Sequence, residues 1–404
     1  MREDAWLAVR RALVLILVAV MALFAGVWLG GRHTTSLPWP LEGVAGGNSP
    51  EHVVKEAIDR VHRTYYRKIS RDTLADNAIA GVVAKLGDRF SNYFTPAEYH
   101  RFQDTQDSRF TGVGVTVSEH PLGLRVAQVF AGSPAKRAGI QPGDLFVAVN
   151  GKSLRGVSRD VSTARIKGPE GTPVTLTVRR RGRRRTVTMT RARVSVPVVA
   201  SAMRLACGKK IGVVALAQFS SGAHAEVYAA LRRLKARGAK GYVFDLRGNG
   251  GGLVTEAQLI ASAFLKDGKI VTTRGRDVPE RTLEALGDPV VPKAPVAVLV
   301  DRDTASASEI VTGALQDRGR ATVVGTRTFG KGVFQEVIEL SNGGALDITA
   351  GQYFTPSGRN LGGRGVRTGA GIKPDVPARD NPRTPHDEAL RTALDVAGGC
   401  APRT

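Results

Sequence analysis

A chain of 404 residues, of which 42% are hydrophobic, is too long for one ordinary core and long enough for two or three domains. Its 58 Lys and Arg against 36 Asp and Glu give a formal net charge of +22, which alone would fit nucleic acid, anionic lipid or a polyanionic cell wall. No zinc-finger spacing or aromatic-rich basic motif accompanies this charge, so we expect no nucleic-acid partner.

The N-terminal stretch 12–31 carries no charged side chain. At ~1.5 Å per helical residue it spans the ~30 Å hydrocarbon layer of a bilayer. Arg10 and Arg11 precede it, so the positive-inside rule predicts a single-pass anchor in the cell membrane, with everything after Arg32 extracytoplasmic. A cleaved signal peptide is the alternative, because residues 22–25 form a small-residue site, although the apolar core exceeds the usual ~7–15 residues.

Two helices are predicted after a linker rich in Pro and Gly. The first begins with Ser49 as N-cap and Pro50 at the first helical position. Its apolar residues recur at three- and four-residue spacing: Val54, Ile58, Val61 and Tyr65. The second runs from about Asp72 to a stop at Gly87. We interpret both helices as packing elements, and no chemistry is visible in them.

From Phe110 the pattern changes to short strands, among them Thr111–Val117 and Leu124–Val129. Residues 131–151 then predict a short helix ended by a glycine, a Pro-Gly turn and a strand closing in an Asn-Gly turn. Their pattern, Ser-Pro-Ala-x-x-Ala-Gly-Ile-x-x-Gly-Asp-x-x-x-x-Val-Asn-Gly, closely resembles a PDZ domain.

The PDZ resemblance implies a peptide-binding loop at Val113, Gly114 and Val115. Such a loop offers backbone N–H groups to the terminal carboxylate of a peptide, and the peptide extends the edge of the sheet. Gly114 would permit the close backbone approach that this requires. The alternative is that the glycine only shapes a turn.

An arginine-rich run from Arg179 to Arg185 is interrupted only by Gly182. It joins the alternating segments Val174–Val178 and Thr186–Thr190, which predict a hairpin. We interpret the run as a solvated hairpin tip.

From about Val194 the chain alternates strands with helices, which is typical of an α/β domain. A helix is predicted at Ala223–Arg237, and a short one at residues 385–396. The predicted buried strands are Lys210–Ala217, Lys240–Arg247 and Ala294–Asp301.

Ser306 lies shortly after the strand that ends at Asp301 and just before a helix that contains Ile310. A helix N-terminus has free N–H groups and a dipole that favour negative charge, which suits a nucleophile whose attack creates an oxyanion. The alternative is a capping box formed by Ser306 and Glu309. Taken alone, this segment favours the cap.

Lys331 stands between two glycines at the start of a strand predicted within Thr328–Ile338. A period of two would place Lys331, Val333 and Gln335 on one face. Burial lowers the pKa of a lysine, and a neutral Lys331 could accept the serine proton while Gln335 orients it. The alternative is a surface lysine on an edge strand.

A glycine-rich turn, Gly248–Gly252, follows the strand that contains Asp245. It lacks the Lys-Ser/Thr of a phosphate loop and the spacing of a dinucleotide fingerprint. Such a turn can still direct N–H groups at an anion, and one of them paired with the Ala307 N–H would form a two-donor oxyanion hole.

Together these segments resemble the carboxy-terminal processing peptidases, a family of serine peptidases with a Ser–Lys dyad. Three strings carry the resemblance: Ala-Ser-Ala-Ser-Glu-Ile, Phe-Gly-Lys-Gly 25 positions later, and the close Gly371–Asp375. It implies that Ser306, rather than Ser308, is the nucleophile, that Lys331 is the base and that Gln335 supports it.

The same resemblance implies a role for Asp317, which matches a position implicated in some members of the family. It also implies that Gly251 or Gly252 supplies the second oxyanion donor, although Asn249-Gly250 departs from the Asn-Pro of many members. The implied fold is α/β, a crotonase-like catalytic core with an inserted β-rich PDZ domain and an N-terminal transmembrane helix.

The expected activity is endoproteolysis near the C-termini of exported proteins, without cofactor or metal. The partners are protein or peptide substrates with free C-termini and the membrane; a homo-oligomer or an adaptor stays open. The predicted segments are 1–32 (cytoplasmic stub and anchor), 33–50 (linker), 51–109 (helical region), 110–193 (PDZ domain), 194–381 (peptidase core) and 382–404 (C-terminal segment).

Two other functions are weighed against this one. A non-catalytic PDZ scaffold is disfavoured by the intact Ser306, Lys331 and Gln335. A trypsin-like protease would need a histidine, and none lies in the core strings. No metal-ligand spacing is present, which disfavours a metallopeptidase.

The cysteines Cys207 and Cys400 match no metal or redox spacing, and they are either a disulfide or two free thiols.

Overall fold

A computed structural model describes residues 49–106, 109–362, 370–381 and 383–400. The predicted anchor, residues 12–31, lies outside these ranges. No helix within the described ranges combines the length and the apolar character needed to cross a bilayer. The chain divides into two compact units, with the boundary between Gly87 and Asp88.

The first unit contains two helices, α1 (Pro50–Thr64) and α2 (Arg71–Lys85). Ser49 is the N-cap of α1 and Pro50 occupies its first turn, as predicted. Ser70 caps α2 through its hydroxyl. Local capping signals therefore set where both helices begin.

The predicted apolar stripe of α1 is largely exposed, with Ile58 its one partly buried member. Val54, Val61 and Tyr65 keep 52%, 42% and 46% of their surface, and no residue of α1 is buried. The physical reason is that, among the described residues of the first unit, α1 packs only against α2. The interpretation of α1 as a packing element is therefore wrong for the described residues.

The second unit begins with β1 (Asn92–Phe94) and α3 (Pro96–Gln106). β1 pairs antiparallel with β18 (Ala345–Phe354), which lies within the predicted peptidase core 194–381. Residues 88–106 therefore lie in the second unit, although the sequence grouped them with the helices in a region 51–109. The pairing of β1 with a distant strand was not visible in a three-residue segment.

The stretch from Arg109 to Ser195 is β-rich, as predicted. Its main sheet has the order β3-β4-β5-β7-β8, with β6 on β5, so that β3 and β8 are its edges. β2 pairs with β9, which brings the two ends of the stretch together. The elements are β2 (Arg109–Gly112), β3 (Val115–His120), β4 (Gly123–Val129), α4 (Pro134–Arg137), β5 (Leu145–Val149), β6 (Lys152–Ser153), α5 (Arg159–Ile166), β7 (Pro173–Arg180), β8 (Arg183–Thr190) and β9 (Ala192–Ser195).

The arginine-rich run forms the tip of the hairpin β7–β8, but it is more than a solvated turn. Arg180 binds the carboxylate of Asp144 through Nε at 2.5 Å and Nη2 at 2.7 Å. Arg185 donates from Nη2 to the Gly139 carbonyl at 2.8 Å. Both side chains reach the segment between α4 and β5. The run therefore also fastens the hairpin β7–β8 to that segment.

The catalytic part of the sequence is built on two sheets. The first has the order β10-β11-β12-β15-β16-β19 and is parallel except for β10; the second joins β1, β18, β13 and β14, with β17 on β18. The elements are β10 (Val199–Ala206), β11 (Lys209–Leu216), α6 (Ala223–Ala236), β12 (Gly241–Asp245), α7 (Val254–Ser262), β13 (Lys269–Gly275), β14 (Arg281–Glu284), β15 (Val296–Val300), α8 (Ala307–Asp317), β16 (Thr322–Gly325), β17 (Val333–Glu339), β18, β19 (Val376–Pro377) and α9 (Glu388–Gly398).

The first sheet is covered on both faces, which explains why its strands read as continuous apolar runs. Alternate residues such as Phe244 and Val298 pack with α6, α7 and α8. Their neighbours, such as Val243 and Leu299, pack against Ala393 and other small residues of α9. The result is an α/β arrangement in which the turn before α8 lies at the carboxyl edge of the sheet.

Cys207 and Cys400 form a disulfide between the β10–β11 turn and the end of α9. Their Cα atoms lie 6.2 Å apart, within the range of ordinary disulfides. The bond closes a sequence separation of 193 residues and ties the C-terminal helix to the sheet.

Candidate active site

Ser306 occupies the turn between β15 and α8, where it is the N-cap of the helix. Its backbone has φ 57° and ψ −120°, a conformation that non-glycine residues rarely adopt. Ser306 is half-buried, whereas its neighbours Ala305 and Ala307 are buried. A sharp, strained turn between a strand and a helix is a known way to expose a reactive hydroxyl.

Ser308, the other serine of the string, is placed differently. It is fully buried, and its hydroxyl donates to the Asn249 carbonyl at 3.0 Å. A hydroxyl in that position supports the fold and has no access to a substrate. Of the two serines, Ser306 is the one whose side chain is partly exposed.

Glu309 is fully buried and holds the backbone around both Ser306 and Lys331. Its Oε2 accepts the backbone N–H groups of Ser306 at 3.0 Å and of Lys331 at 2.9 Å. Its Oε1 accepts the Gly330 N–H at 2.8 Å and the Thr328 hydroxyl at 2.6 Å. Burial raises the pKa of Glu309, although these four hydrogen bonds oppose the shift. The capping-box pattern located Glu309 but did not indicate its bond to Lys331.

The Lys331 side chain is partly buried, and its ammonium group contacts an amide oxygen and an aromatic ring. Nζ donates to Gln335 Oε1 at 2.7 Å and lies 4.8 Å from the centroid of the Phe90 ring. Burial lowers the pKa of Lys331, while the negative charges of Asp347 and Asp88 work in the opposite direction. A lowered pKa increases the fraction of neutral amine, which is the form that can accept a proton.

Gln335 contacts Lys331 despite an irregularity in the strand. β17 begins only at Val333, and its pairing with β18 shifts register between Phe334 and Gln335. Strict alternation from Lys331 to Gln335 therefore does not hold, because the bulge interrupts it. The amide of Gln335 also donates to the Thr349 hydroxyl at 3.1 Å, which fixes the oxygen that faces Lys331.

Tyr353 is a buried residue of the site that sequence patterns did not indicate. Its hydroxyl donates to the Lys331 carbonyl, and its own backbone N–H donates to the Gly332 carbonyl at 3.1 Å. Burial and the charge of Glu309 raise the pKa of Tyr353, so its hydroxyl stays protonated. Tyr353 thus fixes the backbone of Lys331 from the β18 side.

The glycine turn contacts the Ser306 turn through Gly251. A Cβ atom added to Gly251 would lie 2.8 Å from Ser306 Cβ and 2.9 Å from the Ala307 nitrogen. Gly252 lies elsewhere, because an added Cβ there would meet the Phe219 carbonyl carbon at 2.8 Å. The structure therefore brings Gly251 against Ser306 and Ala307, whereas Gly252 lies against Phe219.

Asn249 organises the same turn. Its Nδ2 donates to the Leu216 carbonyl at 2.8 Å, and its Oδ1 accepts the Gly251 N–H at 2.9 Å. The predicted oxyanion donor at Gly251 is thus engaged with Asn249 in this conformation. Gly250 has open space where a Cβ would stand, so the turn does not depend on glycine at the position that departs from the family pattern.

Asp317 lies at the last turn of α8, away from these contacts. It accepts the Ser357 hydroxyl at 2.6 Å and backbone N–H at 3.0 Å, and it pairs with Arg359. Burial opposes its charge, but the hydrogen bonds and Arg359 hold the pKa of Asp317 below its ordinary range. Its contacts are those of a residue that anchors the turn after β18.

Gly371–Asp375, the third string of the family pattern, packs against the segment that contains Ser306 and Glu309. The Ile372 N–H donates to the Thr328 hydroxyl at 2.7 Å, and Thr328 in turn binds Glu309. An added Cβ at Gly371 would strike both Thr328 and Glu309, so glycine is required there.

The predicted peptide-binding loop precedes the edge strand β3. The Val113 carbonyl accepts the Ala135 N–H at 2.8 Å, and the Gly114 carbonyl accepts the Phe130 N–H at 3.1 Å. Gly114 has φ 82°, and an added Cβ would strike Ser133. The loop thus uses two of its carbonyls internally and lies at an open sheet edge, which fits the addition of a peptide strand.

Among the described residues, Cys207, Asp395 and Cys400 are close enough to share a metal ion, but both sulfurs belong to the disulfide.

The chemistry that the site around Ser306 supports is proton transfer: a hydroxyl at a helix N-terminus, a partly desolvated amine, and backbone N–H groups at the start of α8.

Two sequence profiles match the chain. Peptidase family S41 matches residues 210–378, and the PDZ domain matches residues 125–180. The carboxyl-terminal-processing protease of Synechocystis is 36% identical over 327 residues, or 80% of this chain and 76% of that protein. The carboxy-terminal-processing protease of Bartonella bacilliformis is 36% identical over 328 residues, or 80% and 73%.

A solved structure, titled photosystem II D1 C-terminal processing protease, is similar at 28% sequence identity. The match covers 93% of this chain and 96% of that chain, with a TM-score of 0.48.

Proposed function

The chain belongs to the carboxyl-terminal processing proteases of peptidase family S41, which are serine peptidases, and we propose that Ser306 and Lys331 are its catalytic dyad. One observation carries the proposal: a single oxygen of the buried Glu309 accepts the backbone N–H groups of both residues. One fixed group therefore sets the positions of the hydroxyl-bearing and the amine-bearing segments together.

The proposed reaction begins with Lys331 neutral. Its amine takes the proton of the Ser306 hydroxyl as the oxygen attacks the scissile carbonyl, and Gln335 keeps the amine in place. The oxyanion is stabilised by the Ala307 N–H and by a donor of the glycine turn, Gly251 or Gly252. Lys331 then protonates the departing amine, and water activated by the neutral lysine hydrolyses the acyl-enzyme.

The test is cleavage of an unfolded protein by the full chain, with product termini mapped by mass spectrometry. Ser306→Ala and Lys331→Ala should each lower the rate by about 10³-fold or more while the unfolding midpoint is kept. Lys293→Ala, at an exposed lysine of the same unit, is the matched control and should cleave normally. Normal cleavage by either of the first two variants contradicts the dyad.

We further propose that the PDZ domain binds the free C-terminus of the substrate at the loop formed by Val113, Gly114 and Val115. The open edge of β3 supports this role. A cleft of about 730 Å³ is lined by Gln128 on β4 and by Asp245 and Asp301 at the carboxyl edge of the parallel sheet.

Binding of a peptide with a free carboxylate and of its C-terminal amide tests this role. The free acid should bind more tightly, and Gly114→Ala should abolish the difference, because its Cβ would strike Ser133. Equal binding of acid and amide contradicts carboxylate capture.

We also propose that residues 12–31 anchor the protein in the membrane with the protease domain extracytoplasmic. The apolar stretch behind Arg10 and Arg11 supports this placement, and so does the disulfide, which is typical of oxidising compartments. After alkaline extraction the protein should stay with the membranes, and externally added protease should digest it in intact cells. Release into the supernatant would indicate a cleaved signal peptide instead.

A further inference from the structure

The turn Asp88–Ser91, at the start of the second unit, covers the amine of Lys331. The Phe90 ring centroid lies 4.8 Å from Nζ, within cation–π distance. The strand β1 follows directly and pairs with β18, Asn92 opposite Asp347, so the turn is fastened to the sheet beside the dyad.

The turn is held rigid by its own hydrogen bonds. Asp88 accepts the Phe90 N–H at 3.0 Å and the Ser91 hydroxyl at 2.6 Å. The Ser91 hydroxyl oxygen also accepts the Thr349 N–H at 3.0 Å. Because the Thr349 hydroxyl accepts the amide of Gln335, the turn that carries the Phe90 ring and the side chain of Gln335 are both hydrogen-bonded to the same residue of β18.

Charged groups on three segments, β18, the turn Asp88–Ser91 and α8, act on Lys331. Asp347 on β18, Asp88 on the turn and Glu309 on α8 favour the ammonium form, whereas Arg89 on the turn disfavours it. The Arg89 guanidinium stands over the Phe90 ring at 4.7 Å as well. The pKa of Lys331 therefore depends on burial, which lowers it, and on the neighbouring charges. The turn supplies two of these charges, Asp88 and Arg89.

We propose that Phe90 is a positioning residue of the catalytic base, whose ring holds the Lys331 amine in place and stabilises its ammonium form. This inference rests on the proposed role of Lys331 in the dyad. The ring face carries partial negative charge, so it attracts the cation and not the neutral amine. Burial acts in the opposite sense, since it penalises the charged form.

The sign of the effect can be tested by a change that keeps the burial and removes the ring. Phe90→Leu should lower the pKa of Lys331, because the cation–π attraction is lost while an apolar side chain still covers the amine. The acid limb of the kcat/KM profile reports the free base, so it should move to lower pH by about half a unit to one unit. Phe94→Leu is the matched control: its ring stacks on Phe102, and the limb should not move.

A second variant should shift the limb the other way. Arg89→Gln removes a positive charge that disfavours the ammonium form, so the pKa of Lys331 should rise and the limb should move to higher pH. The position of the limb does not depend on the fraction of folded protein, which separates this readout from a loss of stability.

The full chain and Lys331→Ala are assayed with the same peptide. If Lys331→Ala is inactive but the limb of Phe90→Leu coincides with that of the wild type, the role of Phe90 is overturned and the dyad stands. If Lys331→Ala cleaves normally, the dyad itself fails, whatever Phe90→Leu does.

Discussion

Asp144 in the PDZ domain and Glu309 in the peptidase part are both buried carboxylates, but their partners differ in charge. Asp144 is paired with the Arg180 guanidinium, which outweighs burial and holds the pKa of Asp144 below its ordinary range. Glu309 is held by three backbone N–H groups and one hydroxyl, and burial raises its pKa.

The difference separates two uses of a buried acid. The ion pair in the PDZ domain fastens the hairpin β7–β8 to the turn that contains Asp144. The uncharged donors around Glu309 fasten Ser306 to Lys331 without adding a second cation beside the amine. A buried carboxylate without a cationic partner is costly unless all its hydrogen bonds are made, and four are made here.

The largest expected effect is on catalysis by Glu309→Gln. The amide NH2 replaces an acceptor, so at least one of the four donors loses its partner and the backbone of Ser306 or Lys331 shifts. A displacement near 1 Å costs on the order of 10²-fold, so kcat/KM should fall by about that factor. Glu336→Gln, at an exposed position of β17, is the control. Full activity of Glu309→Gln with reduced stability would reduce Glu309 to a structural role.

A smaller effect is expected for Asp144→Asn, and on stability rather than on catalysis. Loss of the charge-assisted bonds to Arg180 should lower the free energy of unfolding by about 2 kcal/mol in denaturant titrations. Cleavage of a short peptide should change far less than in Glu309→Gln. Asp160→Asn, exposed in the first turn of α5, should lower stability by less than about 1 kcal/mol, the size of a helix-dipole interaction. Equal losses of activity from Asp144→Asn and Glu309→Gln would break the contrast.

The smallest effect is the pH dependence of stability, which should have opposite signs for the two acids. The pKa of Asp144 is lower in the folded state, so its contribution is present above about 3.9 and is lost as pH falls through the folded pKa. The pKa of Glu309 is higher in the folded state, so its contribution is present below about 4.3 and is lost as pH rises through the folded pKa.

The free energy of unfolding, measured by denaturant titration at a series of pH values on both sides of these pKa values, checks both signs. Asp144→Asn should flatten the loss of stability toward acid, and Glu309→Gln should flatten the loss on going from acid toward neutral pH. The same slope change in both variants would contradict the assigned directions.

The sequence predicted most of what local patterns encode. The caps at Ser49 and Ser306 and the short strings of the family were predicted correctly because neighbouring residues carry them, whereas the strand predicted at Thr111–Val117 is divided between β2 and β3. The family was predicted from these strings and is confirmed by relatives 36% identical over most of their length. The crotonase-like description, the segment boundaries and the site roles stay predictions.

What the sequence did not reveal depends on contacts between distant segments. Phe90 reaches Lys331 from the turn before β1 and Tyr353 reaches it from β18, and neither lies in a recognisable motif. Glu309 looked like one half of a capping box, whereas it also accepts the backbone N–H of Lys331, which lies 22 residues further along the chain in the segment before β17. The choice between Gly251 and Gly252 depends on the path of the turn past Phe219, which no local pattern specifies.

The account rests on Ser306 as the nucleophile activated by Lys331, and trapping the acyl-enzyme tests this most directly. The full chain is mixed with a peptide ester, quenched in acid within one turnover and mapped by mass spectrometry. We predict an acyl group on Ser306, no acyl group on Ser308, and accumulation at least a hundredfold slower in Lys331→Ala, on the order expected for loss of a general base. An acyl group on another residue, or accumulation at the wild-type rate in Lys331→Ala, would contradict the proposed dyad.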